Sequence, residues 1–362
     1  MKNTYHLNYI SGCQLYKDIE KRKSGWIVLT SLSLLFFCLF GCNTGAVKEN
    51  QQNNKGGDVS MKSNIDLSTI KVGYVSPSLN APFYVVLSQF VQKYTESYGM
   101  SFKMADGQDD IIKQITSIED LIATGLDILV LNPLDHKALV PAVNAAGKSG
   151  VPVFIVDSQI DVSANYITSI QASNEGNGEL IGEWVVNKLG NKEIKTALIS
   201  GSQGNPVGRE KRLGFVRGFV ETQLITQGNA DLNIVSHGWG NWTLLGGMEA
   251  MEDILVAHPD VDLLVAENDA MGMGALRAIN EAGRSGEILI VAYDGQKEAY
   301  ELINDGKFGA TALNSPEELA RIVVESVVKY LDGEQLNKII YTPAVIITKD
   351  NVDKYYDPDA LF

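Results

Sequence analysis

The sequence contains few cysteines and few histidines, which excludes several kinds of site. The three cysteines all lie before residue 43 and are Cys13, Cys38 and Cys42. The rest of the chain therefore cannot form an internal disulfide. The four histidines are scattered along the chain and are His6, His136, His237 and His258. This spacing indicates neither a metal cluster nor a Ser/His/Asp constellation, so we expect no metal, no cofactor and no catalytic residue.

Positive charge and phosphate-binding motifs are also scarce. Lys and Arg number 30 against 44 Asp and Glu, which gives a net charge of −14. Nucleic-acid affinity depends on clustered basic residues, so we expect no nucleic-acid partner. The segment 272–277 begins like a dinucleotide fingerprint, but Arg277 stands where the third glycine belongs. The sequence contains neither a P-loop nor a Gly-x-Ser-x-Gly elbow.

One apolar run stands out, but it is short. Residues 26–40 follow the basic residues 21–23, and fifteen residues are fewer than the roughly 20 needed to cross a bilayer. The pattern predicts a signal peptide over residues 1–41. Its end, Leu-Phe-Gly-Cys, resembles a bacterial lipobox, which predicts lipidation at Cys42 and export to the cell membrane, facing the periplasm or the cell exterior. The alternative is an uncleaved signal anchor. Residues 42–68 are predicted to form a flexible tether.

The remaining chain alternates short apolar runs with amphipathic segments. The runs predict strands at 72–75, 128–131, 153–156, 197–199, 233–235, 261–265 and 288–292. Helical periodicity is found in the segments near 83–94, 111–122, 136–148, 174–190, 208–222, 244–257, 270–283 and 316–331. Apolar strands separated by helices predict parallel sheets covered on both faces. We expect an α/β protein with two doubly wound sheets.

Distinctive polar and aromatic side chains follow these predicted strands, where doubly wound folds bind ligands. They are Asn80, Phe83, Tyr84, Asp157, Asn205, Arg209, Trp242, Asn268, Asp294 and Asn314. Carboxylates accept hydrogen bonds from hydroxyls, guanidinium donates them, and aromatic rings cover the C–H faces of a sugar. The set predicts a site for a neutral, polyhydroxylated ligand. Taken singly, each of these residues also has an alternative structural role. Asp157 and Asp294 are typical of turns, Phe83 is typical of an apolar core, and Arg209 is typical of an exposed first helical turn.

Seven segments, in order, resemble the ribose-type bacterial periplasmic sugar-binding proteins. They are LNAPFY (79–84), VDSQ (156–159), GRE (208–210), HPDV (258–261), AENDAM (266–271), GALRA (274–278) and AYDG (292–295). The resemblance covers residues 70 to about 348. It implies two lobes that are joined by a three-segment hinge and close on a monosaccharide or polyol. The first lobe comprises residues 69–172 plus 315–343, and the second comprises residues 173–314 plus 344–362.

The resemblance also assigns roles and partners. It implies that Phe83, Tyr84 and Trp242 sandwich the sugar ring. It further implies that hydrogen bonds to the hydroxyls come from Asp157, Arg209, Asn268, Asp294 and Asn314. The expected partners are the permease and ATPase of an ABC importer, and the protein is expected to be a monomer attached to the membrane only through its lipid.

Two residues depart from the ribose pattern. Ala81 replaces an amide, and Ser158 replaces a common arginine. These changes favour a hexose, polyol or inositol over ribose. Two other functions stay open at this point: a ligand-sensing subunit for a membrane receptor, for example one recognising an autoinducer-like sugar derivative, and an exported glycoside hydrolase using Asp157 and Asp294 as acid and base.

Overall fold

The structure is a computed structural model that describes residues 65–190 and 192–362. The predicted signal peptide, the lipidation site Cys42 and the tether up to residue 64 lie outside the described residues. Where the description begins, a short 3₁₀ helix, Leu67–Thr69, is capped by Asp66 and leads directly into the first strand.

Twelve strands and nine α-helices make up the described part of the chain. The strands are β1 (Lys71–Ser76), β2 (Ser101–Asp106), β3 (Ile128–Leu131), β4 (Val153–Val156), β5 (Ser169–Ala172), β6 (Lys195–Ser200), β7 (Asn233–Trp239), β8 (Leu263–Ala266), β9 (Leu289–Asp294), β10 (Ala310–Leu313), β11 (Ile339–Thr342) and β12 (Ile346–Thr348). The helices are α1 (Pro82–Ser97), α2 (Ile111–Ala123), α3 (Val140–Lys148), α4 (Asn174–Leu189), α5 (Pro206–Gln227), α6 (Leu244–Ala257), α7 (Asp269–Glu281), α8 (Lys297–Asn304) and α9 (Pro316–Leu331). A second 3₁₀ helix spans Val352–Lys354.

These strands form two six-stranded sheets, which confirms the predicted fold class. The first sheet has the order β11-β5-β4-β3-β1-β2 and is parallel throughout. The second has the order β12-β10-β9-β8-β6-β7 and is parallel except where β12 pairs antiparallel with β10. Each sheet separates two apolar clusters, because both of its faces are covered by helices.

The predicted apolar strands are all present, and β3 and β4 have the predicted bounds. The strand β2 was not predicted, because it lies at the edge of its sheet and none of its side chains is fully buried. An edge strand of this kind carries no apolar run in its sequence. The strand β5 was also missed: it is buried throughout, but Ser169 and Gln171 interrupt its apolar character.

The chain passes between the sheets in three short segments: between Ala172 and Asn174, between Leu313 and Pro316, and between Thr342 and Ile346. Buried Asn177 at the start of α4 links the last two of them. Its Nδ2 donates to the carbonyl of Leu313 at 2.8 Å, and its Oδ1 accepts from the backbone N–H of Val345 at 3.0 Å. One amide therefore holds two hinge segments at a fixed separation.

The last residues of the chain return to the first lobe. Lys297 in α8 donates to the carbonyls of Pro358 and Ala360, at 3.3 and 2.9 Å. The ring of Phe362 then packs edge-on against that of Phe83, with 5.6 Å between centroids. The assignment of residues 344–362 to the second lobe stays a prediction; Phe362, at the end of this segment, packs beside the apolar cluster of the first lobe.

Within residues 65–190 and 192–362, none of the helices combines the length and the apolar character needed to cross a membrane.

Candidate ligand site between the lobes

A cavity of about 340 Å³ lies where the carboxyl ends of strands from both sheets meet. The first lobe contributes Ala81, Phe83, Tyr84, Asp157 and Ser158 to its wall; the second contributes Asn205, Val207, Lys211, Trp242, Asn268 and Asp294; and Asn314 comes from a hinge segment. Each polar lining residue follows a strand, because parallel strands all present their carboxyl ends on the same edge. This volume counts all the space between the lining atoms and includes space that is open to solvent.

The two carboxylates of the cavity both sit on unusual backbone. Asp157 directly follows β4 and has φ of 66°, and Asp294 ends β9 with φ of 107°. Non-glycine residues seldom adopt positive φ, and such conformations concentrate at ligand sites, where the surrounding structure maintains them. Both side chains are buried. The backbone therefore turns each carboxylate out of its strand and into the space between the lobes.

Burial controls the ionisation of Asp157. It raises the pKa of this carboxyl to about 6, while a hydrogen bond from Asn132 and the positive charge of Lys211 oppose the shift, and Asp294 adds to it. The Nδ2 of Asn132 donates to Oδ2 of Asp157 at 3.0 Å. Asp157 forms no salt bridge within the described residues, so its partners there are neutral. Such a carboxylate is suited to accept hydrogen bonds from hydroxyl groups.

The cation of the site is Lys211, a residue that the sequence analysis did not select. Its side chain is 1% exposed, and Nζ donates to Oδ1 of Asp294 at 2.7 Å and to the carbonyl of Glu267 at 2.9 Å. The ammonium also lies 5.5 Å from the ring centroid of Trp242 and 5.3 Å from that of Tyr293. Lys211 thus neutralises one of the two carboxylates.

Arg209 does not line the cavity, so the structure does not bring it together with the other predicted ligand residues. Both Arg209 and Lys211 lie in the first turns of α5, but the buried face of this helix runs through Gly208, Lys211 and Phe215, with the spacing of one helical face. Arg209 follows Gly208 by one residue, about 100° around the helix, and its side chain is exposed. A lysine in register with Gly208 and Phe215 was the sequence signal that could have identified Lys211 instead.

The aromatic residues of the cavity come from both lobes. Phe83 and Tyr84 begin α1 in the first lobe, with their rings nearly perpendicular and 6.0 Å apart. Tyr84 packs against apolar clusters of both lobes. Trp242 enters from the second lobe, and its ring lies so close to Gly201 that a Cβ there would be 2.0 Å from Cε2.

Two of the three amides that line the cavity, Asn268 and Asn314, differ in how much of their hydrogen-bonding capacity the protein already uses. Asn268 caps α7 by accepting from the N–H of Met271 at 2.9 Å, and its Nδ2 donates to the carbonyl of Trp242 at 3.0 Å. It therefore also holds Trp242 in place. Asn314 donates from Nδ2 to Asp294 at 3.5 Å, and its buried Oδ1 has no partner in the described part of the chain.

A polar contact joins the lobes beside the cavity. Gln159, two residues after Asp157, donates from Nε2 to Oε1 of Glu210 on α5. The second oxygen of Glu210 accepts from Nδ2 of Asn174 at 3.2 Å. Glu210 is half-buried, and burial raises its pKa. We call Gln159 and Glu210 the interlobe latch.

Seven of the eight predicted ligand residues thus line one cavity, and their roles toward a ligand remain predictions. The substituted positions Ala81 and Ser158 line it as well. In the described residues, no group of three or more His, Cys, Asp or Glu side chains could hold a metal ion. Two α/β lobes, three connecting segments and a cavity lined from both lobes define the molecule as a two-lobed binding protein.

Comparison with known proteins identifies the family. Residues 72–335 match the model of the periplasmic binding protein domain, and the chain belongs to this family. The ribose import binding protein RbsB of Bacillus subtilis (strain 168) is 31% identical over 319 residues, which cover 88% of this chain and 97% of the relative. The resemblance found in the sequence is thereby confirmed.

Solved structures agree. An ABC transporter solute binding protein from Mycobacterium smegmatis, with bound glycerol, is 30% identical, with a TM-score of 0.74 over 80% of this chain and 98% of that one. The periplasmic binding protein component of the arabinose ABC transporter from Shewanella sp. ANA-3, bound to α- and β-L-arabinofuranose, is 27% identical, with a TM-score of 0.73 over 79% of this chain and 94% of that one.

Proposed function

We propose that this protein is an extracytoplasmic solute-binding protein that captures a monosaccharide or polyol between its lobes and delivers it to an ABC importer. The observation that carries the proposal is the cavity itself, which brings Asp157, Asp294 and three aromatic rings together between two lobes. Hydrogen bonds from hydroxyls to charged groups each contribute roughly 1.5–3 kcal/mol, so a few of them outweigh the cost of ordering the ligand. The names of the relatives, which include ribose import and arabinose transport proteins, support the same ligand class.

The charges in the cavity favour a neutral ligand. Asp157 and Asp294 supply two carboxylates against the single cation Lys211, which is already paired with Asp294. A phosphorylated or carboxylated sugar would place a third negative charge among these groups at a cost in free energy. The same pairing supports a binding role for the carboxylates, so cleavage of a glycosidic bond forms no part of the proposal.

Capture is proposed to proceed by closure of the two lobes, 69–172 plus 315–343 and 173–314 plus 344–362. A ligand that bonds to Asp157 on one lobe and to Asp294 on the other binds the closed arrangement more tightly than an open one, and so shifts the population toward it. The interlobe latch closes beside the ligand in the same movement. An importer, or alternatively a membrane receptor, could read that change.

The direct test is a ligand screen by thermal unfolding of the full chain with ribose, allose, galactose, arabinose, glycerol and myo-inositol at millimolar concentration. A ligand at 100 times its Kd stabilises the folded state by about 2.7 kcal/mol. Asp157→Asn is the informative variant, because Asp157 has no cation partner to be left unpaired, and it should lose the stabilisation while still folding. If no compound in the panel raises the Tm, the proposed ligand class is wrong.

Attachment to a membrane through a lipid on Cys42 is the second part of the proposal. It is supported by the lipobox-like sequence and by the position of Cys42 directly after a signal-peptide pattern. Metabolic labelling with a radioactive fatty acid in a bacterial host tests it. We expect label on the wild-type chain and none on the Cys42→Ala variant. The Cys38→Ala variant is the matched control and should be labelled as strongly as the wild type.

A further inference from the structure

Two residues of the cavity each carry a buried polar atom that has no partner in the described part of the chain. They are Nε1 of Trp242 and Oδ1 of Asn314. Trp242 is 9% exposed and Asn314 is 3% exposed. An indole N–H can only donate a hydrogen bond, and an amide oxygen can only accept one. Buried groups of this kind are nearly always paired, because an unpaired one loses its bond to water without replacement. Two of the residues that line the cavity therefore carry an unsatisfied group each, a donor in Trp242 and an acceptor in Asn314.

The surrounding structure fixes the orientation of the Trp242 indole. Asn241 and Trp242 both have positive φ, 48° and 63°, which sets an unusual turn before α6. The carbonyl of Trp242 accepts from Asn268, and the ring packs on the bare backbone of Gly201. An aromatic platform alone requires only a flat face, which phenylalanine would also provide. Holding an indole this firmly also fixes its one polar atom.

We infer that Trp242 is a hydrogen-bonding specificity residue as well as an aromatic platform: its N–H donates to a ligand oxygen, while Oδ1 of Asn314 accepts from a ligand hydroxyl. This inference rests on the proposed function and narrows its ligand class. The preferred ligand is a neutral polyhydroxylated compound that presents an acceptor oxygen to the indole and an O–H donor to the hinge amide. Analogues lacking either oxygen leave a buried group unpaired and bind less well.

The first experiment measures affinity by calorimetry on the full chain, using whichever of D-ribose, D-allose and myo-inositol binds the wild type most tightly. Trp242→Phe keeps a ring and removes the N–H, and we expect the Kd to rise about 5- to 150-fold. Trp184→Phe is the matched control, since Trp184 is half-buried on α4, packs near Gly309 and does not line the cavity. Its Kd should stay within about twofold of wild type.

A second arm identifies the ligand oxygen. Analogues of the bound compound, each lacking one oxygen, are titrated against the wild type and against Trp242→Phe. One analogue should bind the wild type more weakly than the parent compound does. The same analogue should bind Trp242→Phe as tightly as the parent compound does, because the contact that the analogue lacks is already absent from this variant. If every analogue loses the same factor against both proteins, the indole makes no such bond.

Nuclear magnetic resonance of the ¹⁵N-indole-labelled full chain supplies a readout that does not depend on the variant folding. The chain has four tryptophans, and the signal of Trp242 is the one missing from Trp242→Phe or, should that variant not fold, from Trp242→Tyr. Saturating ligand should move that signal downfield and slow its exchange with deuterated water, leaving the signal of Trp184 in place. A wild type that binds sugar without such a change, together with an unchanged Kd for Trp242→Phe, would overturn the inference and leave the proposed function standing. A wild type that binds none of the three compounds would remove both.

Discussion

Lys211 and Asp294 form a salt bridge of 2.7 Å between side chains that are 1% and 7% exposed, and both residues line the cavity. Removing one member of a buried pair leaves an uncompensated charge, which typically costs 3–5 kcal/mol. We therefore expect Lys211→Met to lower the free energy of unfolding by roughly 3–5 kcal/mol in urea titrations. Lys195→Met, which breaks an exposed pair with Asp260, is the control and should change it little. Equal losses for both variants would contradict this reading of the site.

The ionisation of Asp157 predicts how ligand binding depends on pH. Its pKa is raised to about 6 by burial, and hydroxyls donate to the ionised carboxylate, so affinity should be full above about pH 6 and fall below it by up to tenfold per unit. The stability of the ligand-free protein should depend on pH in the opposite direction. Because the folded pKa lies above the ordinary value of 3.8, protonation of Asp157 stabilises the fold as the pH falls through 6, and that contribution is lost as the pH rises. Calorimetry between pH 5 and 8 measures the first effect, and Asp157→Asn should remove the pH dependence of whatever affinity it retains.

Gly201 allows the Trp242 ring to occupy its place in the cavity wall. A Cβ at this position would lie 2.0 Å from the ring, a separation that forces the indole or the backbone to move. Gly201→Ala should therefore weaken ligand binding at least tenfold, by the loss of about 1.4 kcal/mol or more, and shift the tryptophan fluorescence. Gly286→Ala is the comparison: Gly286 has positive φ but open space around it, so this variant tests backbone strain without a clash. Unaltered affinity in Gly201→Ala would mean that the ring position is unimportant.

Asn177 holds two hinge segments together through its bonds to the backbone of Leu313 and Val345. Asn177→Ala leaves the partly buried carbonyl of Leu313 and the partly buried N–H of Val345 without this partner, and we expect a loss of about 1–3 kcal/mol of stability for each group that water does not reach. Chemical denaturation measures it. Asn187→Ala, at an exposed position of the same helix, should be neutral, and an equally neutral Asn177→Ala would show that the hinge does not depend on this amide.

The interlobe latch should favour the closed arrangement without contacting the ligand. Glu210→Ala removes the acceptor for Gln159, so we expect ligand affinity to fall by less than about tenfold, in line with the modest net contribution of one hydrogen bond. In small-angle scattering the ligand-free variant should show a larger radius of gyration than the wild type. Glu221→Ala, exposed on the same helix, is the control, and identical scattering from both variants would argue against a latch.

Several site residues could be predicted because the ends of the strands can be recognised in the sequence. Asp157 follows a purely apolar run and Asp294 ends another, and parallel strands bring their carboxyl ends together wherever the sheet forms. The same periodicity predicted the two sheets, but not the edge strand β2, in which Ser101 and Lys103 interrupt the apolar residues and no side chain is fully buried. The family-like segments added the order and the hinge.

The sequence did not show in the same way which of the two cations, Arg209 or Lys211, faces the cavity. Both are cations in the first turns of one helix, and only the contact of α5 with α4 decides which side is buried. That contact brings the Cα atoms of Gly214 and Gly218 against the backbone of Glu175 and Glu179 so closely that a Cβ would clash. The face carrying Lys211 consequently turns inward, and Arg209 turns to solvent.

By itself, then, the sequence determined the two sheets and most of the side chains that line the cavity at the strand ends, because hydrophobic periodicity is a local property; the three crossings were expected only from the resemblance to the family. The tertiary structure alone decided which cation neutralises Asp294, which amide keeps a free oxygen and how the indole is held. Those outcomes depend on burial, on positive φ at Asp157, Trp242 and Asp294, and on contacts between residues far apart in the chain, none of which a local pattern encodes.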